Sequence, residues 1–333
     1  VFSTSQVNVL TTTQVGGLNT TQVASLNTTQ VAMLTSTAVG GLTTTVIPEL
    51  TTTQVSSLSS TQVGGLTTTQ VDVLTNNELL VLTTTQLGGL ADTHVAALTT
   101  THVAILTTTQ IGALTTTQMS GMESTDVVML STTQVDTLAA TQLGALTTTT
   151  VSALTITDMN FLTATQFGGF DAARMYALTT TQIPVLTTSV VSNLSTTQVA
   201  GLEPSDFPFL TTTQLTALTT TSVGILTTSE VTFLTATQFG GFASNQVAAL
   251  TTTQMPMLST SAVAYMMTTQ VQGLEATDIP SITTTQVTVL TTTAIGGLAN
   301  PVQVQAFTLN QYNIMTYDQT SAYQIISGGW IPS

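Results

Sequence analysis

An eight-residue repeat runs through nearly the whole chain and constrains its fold more than any other feature. Residues 2–297 divide into 37 octads without a single insertion or deletion. We label the positions a to h, so that Leu10 is a and Val15 is f in the unit LTTTQVGG. Position f is apolar in every octad, and position a is Leu or another large apolar residue. An unbroken frame predicts that each octad packs on its neighbours along one continuous core, as in a solenoid.

A second, longer period groups the octads in threes. The string LTATQFGGF occurs at positions 162–170 and again nine octads later, at 234–242. Gly-Gly pairs recur in every third octad, at 16/17, 40/41, 64/65 and 88/89. The spacings between Pro184, Pro208, Pro256 and Pro280 are also whole multiples of three octads. We therefore expect about three octads, or 24 residues, in each coil of the solenoid.

The octad fits a short helix. Position b is mostly Thr, with Ser, Asn or Asp in several other octads, and position e is mainly Gln or an acid. This is the spacing of a capping box, and the apolar residues at a and f fit a hydrophobic staple. Thr and Val also favour strands, so a triangular β-solenoid with d, f and h facing inward is the alternative. We favour one-turn helices, one in each octad.

The C-terminal segment differs from the repeat. We expect a solenoid over residues 1–298 and a separate segment over 299–333, in which apolar and polar residues alternate and aromatic residues are frequent. Alternation of this kind is typical of strands, and the segment is predicted to be a β-like cap or a docking element. The aromatic candidates for an assembly contact are Phe307, Tyr312, Tyr317, Tyr323 and Trp330.

The composition excludes several classes of function. The net charge is -14 and Arg174 is the only Lys or Arg, so we expect no nucleic-acid partner. The absence of cysteine excludes disulfides and thiol chemistry. No run of about 20 apolar residues predicts membrane insertion. The sequence starts at Val1 within the pattern and shows no signal peptide, which fits a processed or partial chain.

Few residues suggest chemistry. His94 and His102 occupy position e in consecutive octads, where we expect them to replace the hydrogen bonds of Gln rather than bind a metal. No cofactor site and no catalytic residues are predicted, and the chain is not expected to be an enzyme. Three octads carry acids at both b and e, which suits helix capping and makes them weak candidates for calcium: Glu123, Asp126, Glu203, Asp206, Glu275 and Asp278.

The units LTTTQVGG, LSTTQVDT and LTATQFGG resemble the Thr-rich octapeptide repeats, of the form L-[ST]-T-x-Q-[VI]-x-x, of bacterial extracellular surface and adhesion-like proteins. The resemblance covers residues 2–298. It implies an extracellular, structural role and carries no catalytic residues.

The repeat and the low charge together suggest self-association. Positions b, c and e are expected to face outward as a nearly uncharged Thr/Gln surface. We expect a structural subunit of a self-assembling extracellular bacterial filament, sheath or matrix fibre. The alternative is a rod-like adhesin or surface-binding stalk that recognises a glycan, a solid surface or ice.

Overall fold

The computed structural model describes residues 2–298 and 300–332, and these residues contain helices and no strands. The chain separates into two compact units, an N-terminal unit (Val1–Gly169) and a C-terminal unit (Phe170–Ser333). The prediction of a helical repeat solenoid is confirmed, and the triangular β-solenoid was wrong. The capping of each octad, described below, explains why helix prevails over the strand preference of Thr and Val.

Nearly every octad forms one short helix, and α-helices and 3-10 helices (η) are numbered in chain order. The N-terminal unit contains α1 (Thr4–Val7), α2 (Thr12–Gly16), α3 (Thr20–Ala24), α4 (Thr28–Ala32), α5 (Ser36–Val39), η1 (Ile47–Glu49), α6 (Thr52–Ser56), α7 (Ser60–Val63), α8 (Thr68–Asp72), α9 (Asn76–Leu80), α10 (Thr84–Leu87), α11 (Asp92–Val95), α12 (Thr100–Ile105), α13 (Thr108–Gly112), α14 (Thr116–Ser120), α15 (Ser124–Val127), α16 (Thr132–Asp136), α17 (Ala140–Leu143), α18 (Thr148–Ala153), α19 (Ile156–Phe161) and α20 (Ala164–Phe167). The C-terminal unit contains α21 (Ala172–Tyr176), η2 (Ile183–Val185), α22 (Thr188–Ser192), α23 (Thr196–Val199), η3 (Pro204–Phe209), α24 (Thr212–Ala217), α25 (Thr220–Gly224), α26 (Thr228–Thr232), α27 (Ala236–Gly240), α28 (Ser244–Ala248), η4 (Met255–Met257), α29 (Thr260–Ala264), α30 (Thr268–Gln272), η5 (Ile279–Ser281), α31 (Thr284–Val289), α32 (Thr292–Gly296), α33 (Pro301–Gln305), α34 (Leu309–Asn313) and α35 (Tyr317–Ser327).

Most helices start with the capping box that the b and e positions predict. In α6, the Thr51 side chain accepts a hydrogen bond from the Gln54 N–H, and the Gln54 side chain accepts one from the Thr51 N–H. These two bonds satisfy donors that a helix start would otherwise leave unpaired. Where proline occupies position g, as in η2 and η4, the turn is a 3-10 helix instead. Proline removes the N–H that an α-helical bond would use.

The core consists of the a and f side chains. Every f residue from Val7 to Ile295 is buried, and so is the a residue that follows it from Leu26 to Leu298. Because a helix this short is unstable alone in water, this shared apolar interior supplies the stability of the turns. The largest buried side chains of the repeat include Phe167 in the N-terminal unit and Phe207 and Phe239 in the C-terminal unit.

Helices that begin three octads apart pack against each other, so three octads make one coil within each unit. The pairs α2 with α5 and α10 with α13 are examples in the N-terminal unit, and α22 with α24 is one in the C-terminal unit. Glycine at position h permits the close approach of successive coils. A Cβ atom on Gly89 would lie 2.0 Å from the Ser60 carbonyl oxygen in the preceding coil.

The C-terminal segment is helical, so the expected strand-like structure was wrong. Helices α33, α34 and α35 begin at the N-cap residues Asn300, Thr308 and Thr316. The boundary proposed at 298/299 falls at Ala299, which lies outside the described residues. From Asn300 the octad continues with its register shifted by one residue. Because of this shift, the repeat is not recognisable in the sequence as a continuation of residues 2–297.

Candidate functional site

The most frequent polar arrangement in the structure is a clasp that the position-e glutamine makes between two coils. The Gln54 Oε1 atom accepts the Thr51 N–H at 2.8 Å, which caps its own helix. The Gln54 Nε2 atom donates to the carbonyl oxygens of Val23 at 3.0 Å and Leu26 at 2.8 Å, in the preceding turn of the solenoid. One side chain therefore joins the start of one helix to the carbonyls that end an earlier one.

The glutamine clasp recurs with the same register in both units. Its Nε2 atom reaches the f carbonyl 31 residues earlier and the a carbonyl 28 residues earlier. The glutamines that make both bonds are Gln54, Gln62, Gln70, Gln86, Gln110, Gln118, Gln134, Gln142, Gln166, Gln214, Gln238, Gln246, Gln254, Gln270 and Gln286. Buried carbonyls need donors, and this column provides them throughout the repeat.

The expected outward position of the glutamines was therefore wrong. The clasp glutamines are buried between coils, while position d joins b and c on the exposed side. The exceptions lie in the first coil, where Gln6, Gln14 and Gln22 are exposed and their Oε1 atoms make capping bonds. The surface of the repeat is accordingly Thr-rich rather than a mixture of Thr and Gln.

His102 replaces a clasp glutamine and keeps its capping bond and one of its two bonds to the preceding coil. Its Nδ1 accepts the Thr99 N–H at 3.3 Å, and its Nε2 lies 2.8 Å from the Leu74 carbonyl oxygen. These partners require a neutral ring with the proton on Nε2. His94 likewise accepts the Ala91 N–H with Nδ1. Both histidines lie where a substitute for glutamine is expected.

Six octads have an acid in the clasp position: Glu78, Asp126, Asp158, Asp206, Glu230 and Asp278. Each of these side chains is buried. The Asp126 and Asp206 carboxylates accept the N–H groups of Glu123 and Glu203 at 3.2 and 3.1 Å, and so keep the capping function. An ionised carboxylate has no donor for the carbonyls of the preceding coil, so the second function of glutamine is lost.

Burial raises the pKa of Glu78, Asp126, Asp206, Glu230 and Asp278. Desolvation is the largest cause for Glu78, Asp126 and Glu230, and it outweighs the capping hydrogen bonds that lower the pKa. Desolvation also raises the pKa of Asp206 and of Asp278 to about 6. A raised pKa means that the folded chain binds these protons more strongly than the unfolded chain does.

The two acids of each pair proposed for calcium differ in burial. Within each pair, the e acids Asp126, Asp206 and Asp278 are buried between coils, whereas Glu123 and Glu275 are exposed. The structure gathers no group of three or more acidic, His or Cys side chains around one point in residues 2–298 and 300–332. Calcium usually takes six to eight oxygen ligands, so backbone and Thr oxygens would have to complete any such site.

One ion pair lies at the start of α21. The Asp171 carboxylate accepts the Arg174 N–H at 3.0 Å and a guanidinium N–H at 2.6 Å. The backbone N–H of Arg174 is the largest cause of the lowered pKa of Asp171. The pair takes the place of the Thr and Gln of a capping box.

The five aromatic residues proposed for assembly differ in their exposure. Phe307 and Tyr323 are buried, and the Tyr323 ring packs 5.6 Å from Phe307 and 5.4 Å from Tyr312. Tyr317 and Trp330 are exposed on the surface of this segment. Tyr312 is half-buried, so Tyr317 and Trp330 are the candidates that lie fully on the surface.

Tyr323 also takes over the role of a clasp glutamine. Its hydroxyl donates to the Val304 carbonyl at 2.9 Å, and burial raises the pKa of the phenol to about 12. Helix α35, which carries Tyr323, packs on α32 and α33. The Val304 carbonyl thus receives a donor from within its own terminal segment.

Replacing Tyr323 with Phe should lower the free energy of unfolding by about 1–3 kcal/mol, because the buried Val304 carbonyl loses its donor while the ring packing is retained. Urea denaturation followed by circular dichroism measures the change. Tyr317→Phe is the matched control, since Tyr317 is exposed and should show no change. Equal effects of the two substitutions would contradict this role of the hydroxyl.

An exposed apolar stripe follows position h on one face of the C-terminal unit. The stripe consists of the half-buried Val185 and the exposed Phe209, Phe233 and Met257, which lie three octads apart, one in each successive coil. Phe209 and Phe233 are each 47% exposed and Met257 is 40% exposed. Large apolar side chains that repeat along a surface are typical of an interaction site.

Comparison with known proteins gives no family for this chain, since no family model and no curated protein matches it. Over the part of the chain that the structure describes, no helix has the length and apolar character needed to cross a bilayer. The resemblance to Thr-rich octapeptide proteins consequently stays a prediction.

Proposed function

We propose that this chain is a structural subunit of a self-assembling extracellular bacterial filament, sheath or matrix fibre. The observation that carries the proposal is the apolar stripe of Val185, Phe209, Phe233 and Met257, repeated once in each coil. A second copy of the chain has the same three-octad period, so its stripe would meet this one coil by coil. The surrounding octads, from Thr179 to Leu258, carry only three acids and no base to oppose the contact.

Low charge on the outer surface supports self-association in general. The outward positions b, c and d are mostly Thr, and only 5% of all residues are charged. Association therefore desolvates few ions, which would otherwise be costly. We propose no catalytic activity, no nucleic-acid partner and no cofactor for this surface.

Electron microscopy of the negatively stained, purified chain tests the proposal. The wild-type chain should form ordered fibres, and the double variant Phe209→Ser/Phe233→Ser should remain dispersed with an unchanged circular dichroism spectrum. Ile225→Ser is the matched control, because Ile225 is also an exposed apolar residue at position h but lies on another face. Fibres that persist in the double variant would exclude the stripe, and a wild-type chain that stays monomeric would exclude the function.

The C-terminal docking element can be tested separately. We propose that Tyr317 and Trp330, which are exposed, form the contact, and that Phe307 and Tyr323 support it from within the core. Substituting Tyr317 and Trp330 with Ser should shorten fibres without lowering the free energy of unfolding. A truncation of residues 299–333 is less specific, because it also removes the clasps of Gln303, Gln311 and Gln319.

A rod-like adhesin or surface-binding stalk is the second candidate, and the exposed threonines favour it. Threonine pairs at b and d are joined by hydroxyl contacts of 2.8–3.0 Å, as in Thr43 with Thr45 and Thr67 with Thr69. Such pairs repeat across the surface and could meet a glycan, a solid surface or ice. Dispersed molecules that bind one of these materials would favour this function over fibre formation.

A further inference from the structure

Two buried carboxylate oxygens have no hydrogen-bond partner, and both belong to acids in the clasp position. They are Oε1 of Glu78 in the N-terminal unit and Oδ2 of Asp278 in the C-terminal unit. In Glu78 the other oxygen, Oε2, accepts the Thr75 N–H at 2.6 Å and the Thr75 hydroxyl at 2.7 Å. The unpartnered oxygen thus occupies the part of the residue that carries the Nε2 donor in glutamine.

The register of the clasp identifies what these oxygens lack. In that register the f and a carbonyls that face Asp278 belong to Val247 and Leu250, and those that face Glu230 belong to Val199 and Leu202. A glutamine in these places donates to both carbonyls. An ionised carboxylate instead brings its own negative oxygens towards carbonyl oxygens, with no proton between them.

A side chain shorter than glutamine can reach these carbonyls. Thr150 also occupies the clasp position, and its Oγ1 donates to the Met122 carbonyl, 28 residues earlier, at 3.0 Å. The carboxyl oxygens of aspartate extend one bond further than the hydroxyl of threonine. A protonated aspartic acid can therefore supply the missing donor, because its O–H group is a strong hydrogen-bond donor.

We propose that Asp206, Glu230 and Asp278 act as proton-operated latches between coils of the C-terminal unit. Each protonated carboxyl donates its O–H to a carbonyl of the preceding coil, as the glutamine amide does. On ionisation the proton passes to water, the bond between coils is lost, and the coils are held less tightly. The inference concerns stability within one chain, and it does not rest on the proposed function.

The charged and titratable neighbours of the latches are few and mostly acidic. Glu203, Tyr176 and, from α26, Glu230 lie around Asp206. Helix α26, which carries Glu230, packs against η3 and η4. Asp206 on η3 is the titratable residue of these two elements.

Glu275 is the charged neighbour that acts on Asp278. The C-terminal unit contains no His or Lys, and its one base, Arg174, is paired with Asp171. None of these groups offers an acid latch a positive partner that would stabilise its ionised form.

The direction of the pH effect follows from the raised pKa values. Burial raises the pKa of Asp206 from its ordinary value of 3.8 to about 6, and that of Asp278 in the same way. Binding of these protons stabilises the folded chain relative to the unfolded chain. This stabilisation is complete below pH 3.8 and is lost as the pH rises through about 6. Such a displacement corresponds to a change of at most roughly 100-fold per aspartate in the unfolding equilibrium constant.

Denaturant unfolding of the full chain at pH 4.5 and 7.5 tests the inference. The triple variant Asp206→Asn/Glu230→Gln/Asp278→Asn carries permanent amide donors, so it should be more stable than the wild type at pH 7.5. This difference in midpoint between the triple variant and the wild type should be smaller at pH 4.5. The pH effects of the histidines and of the acids in the N-terminal unit are present in both proteins and cancel in the comparison.

Asp318→Asn is the matched control, because Asp318 is exposed and its removal should leave the pH dependence intact. A triple variant with the pH dependence of the wild type would overturn the inference. Should the triple variant fail to fold, Glu230→Gln alone restores the common residue of the clasp. Carboxyl carbon NMR of the wild type then gives each midpoint directly, and midpoints near 4 for Asp206 and Asp278 would overturn the inference equally.

Discussion

Replacing Gln70 with Leu should lower the free energy of unfolding by about 3 kcal/mol, because two buried backbone groups lose their partner and a third loses one of its two. Gln70 is buried, and its Oε1 accepts the Thr67 N–H at 2.7 Å. Its Nε2 donates to the carbonyls of Val39 at 3.0 Å and Leu42 at 2.7 Å. Leucine has a similar size but removes the partner of the Thr67 N–H and of the Leu42 carbonyl, and each unpaired buried group costs about 1–3 kcal/mol. The Val39 carbonyl keeps the Leu42 N–H at 3.1 Å. Urea denaturation measures the loss.

Two variants control for the effect of size and position. Gln70→His should retain most of the stability, because His102 makes the same capping bond and the same bond to a carbonyl 28 residues earlier. Gln14→Leu should cost much less, since Gln14 is exposed and makes only capping bonds. If Gln14→Leu and Gln70→Leu were equally costly, the bonds between coils would contribute nothing.

Replacing Gly89 with Ala should also lower the free energy of unfolding, by about 2–3 kcal/mol, because it overpacks the contact between two coils. The new Cβ would lie 2.0 Å from the Ser60 carbonyl oxygen, and this neighbour is backbone rather than a flexible side chain. The two coils must separate to relieve the overlap, which weakens their clasps and their packing. Thermal and urea denaturation both measure this effect.

Gly88 provides a control one residue away. A Cβ on Gly88 would have its nearest contact at 3.4 Å, and the residue has right-handed helical angles that alanine adopts readily. Gly88→Ala should therefore be neutral or stabilise the chain by up to about 1 kcal/mol, because alanine restricts the unfolded state. Similar losses for both glycines would show that the approach of the coils at Gly89 is not tight.

The local structure was predictable because its causes lie within one octad. The Thr at b and Gln at e of α6 form the box that their spacing indicates, and the a and f residues form the core. The inward direction of the Gln54 amide was not predictable in this way. Its carbonyl partners lie 28 and 31 residues earlier, so they are brought near only by the geometry of a complete coil.

The repeat in the C-terminal segment was missed because its register is shifted by one residue. Alternating Val302, Val304 and Phe307 suggested strands, but Gln303 and Gln311 make clasps at offsets of 29 and 32 residues instead of 28 and 31. One additional residue near Asn300 accounts for the change. A search of the sequence that allowed a one-residue insertion would have found the box between Thr308 and Gln311.

The acid latches were visible in the sequence as substitutions, but their environment was not. Asp206 and Asp278 were interpreted as cap residues with weak potential for calcium. Their burial between coils, which raises the pKa to about 6, depends on the same inward direction of position e. The exposed stripe of Phe209 and Phe233 was equally hidden, because the outward direction of position h becomes known only with the coil.

The clasp is directional, since the donor always belongs to the later coil and the acceptors to the earlier one. A coil leaving the ribosome therefore finds its carbonyl partners already synthesised and folded. The carbonyls of a coil receive their donors when the next coil is added, and each addition closes a loop of about 30 residues. Within each unit, coils can thus be added one after another during translation, from the N-terminal end.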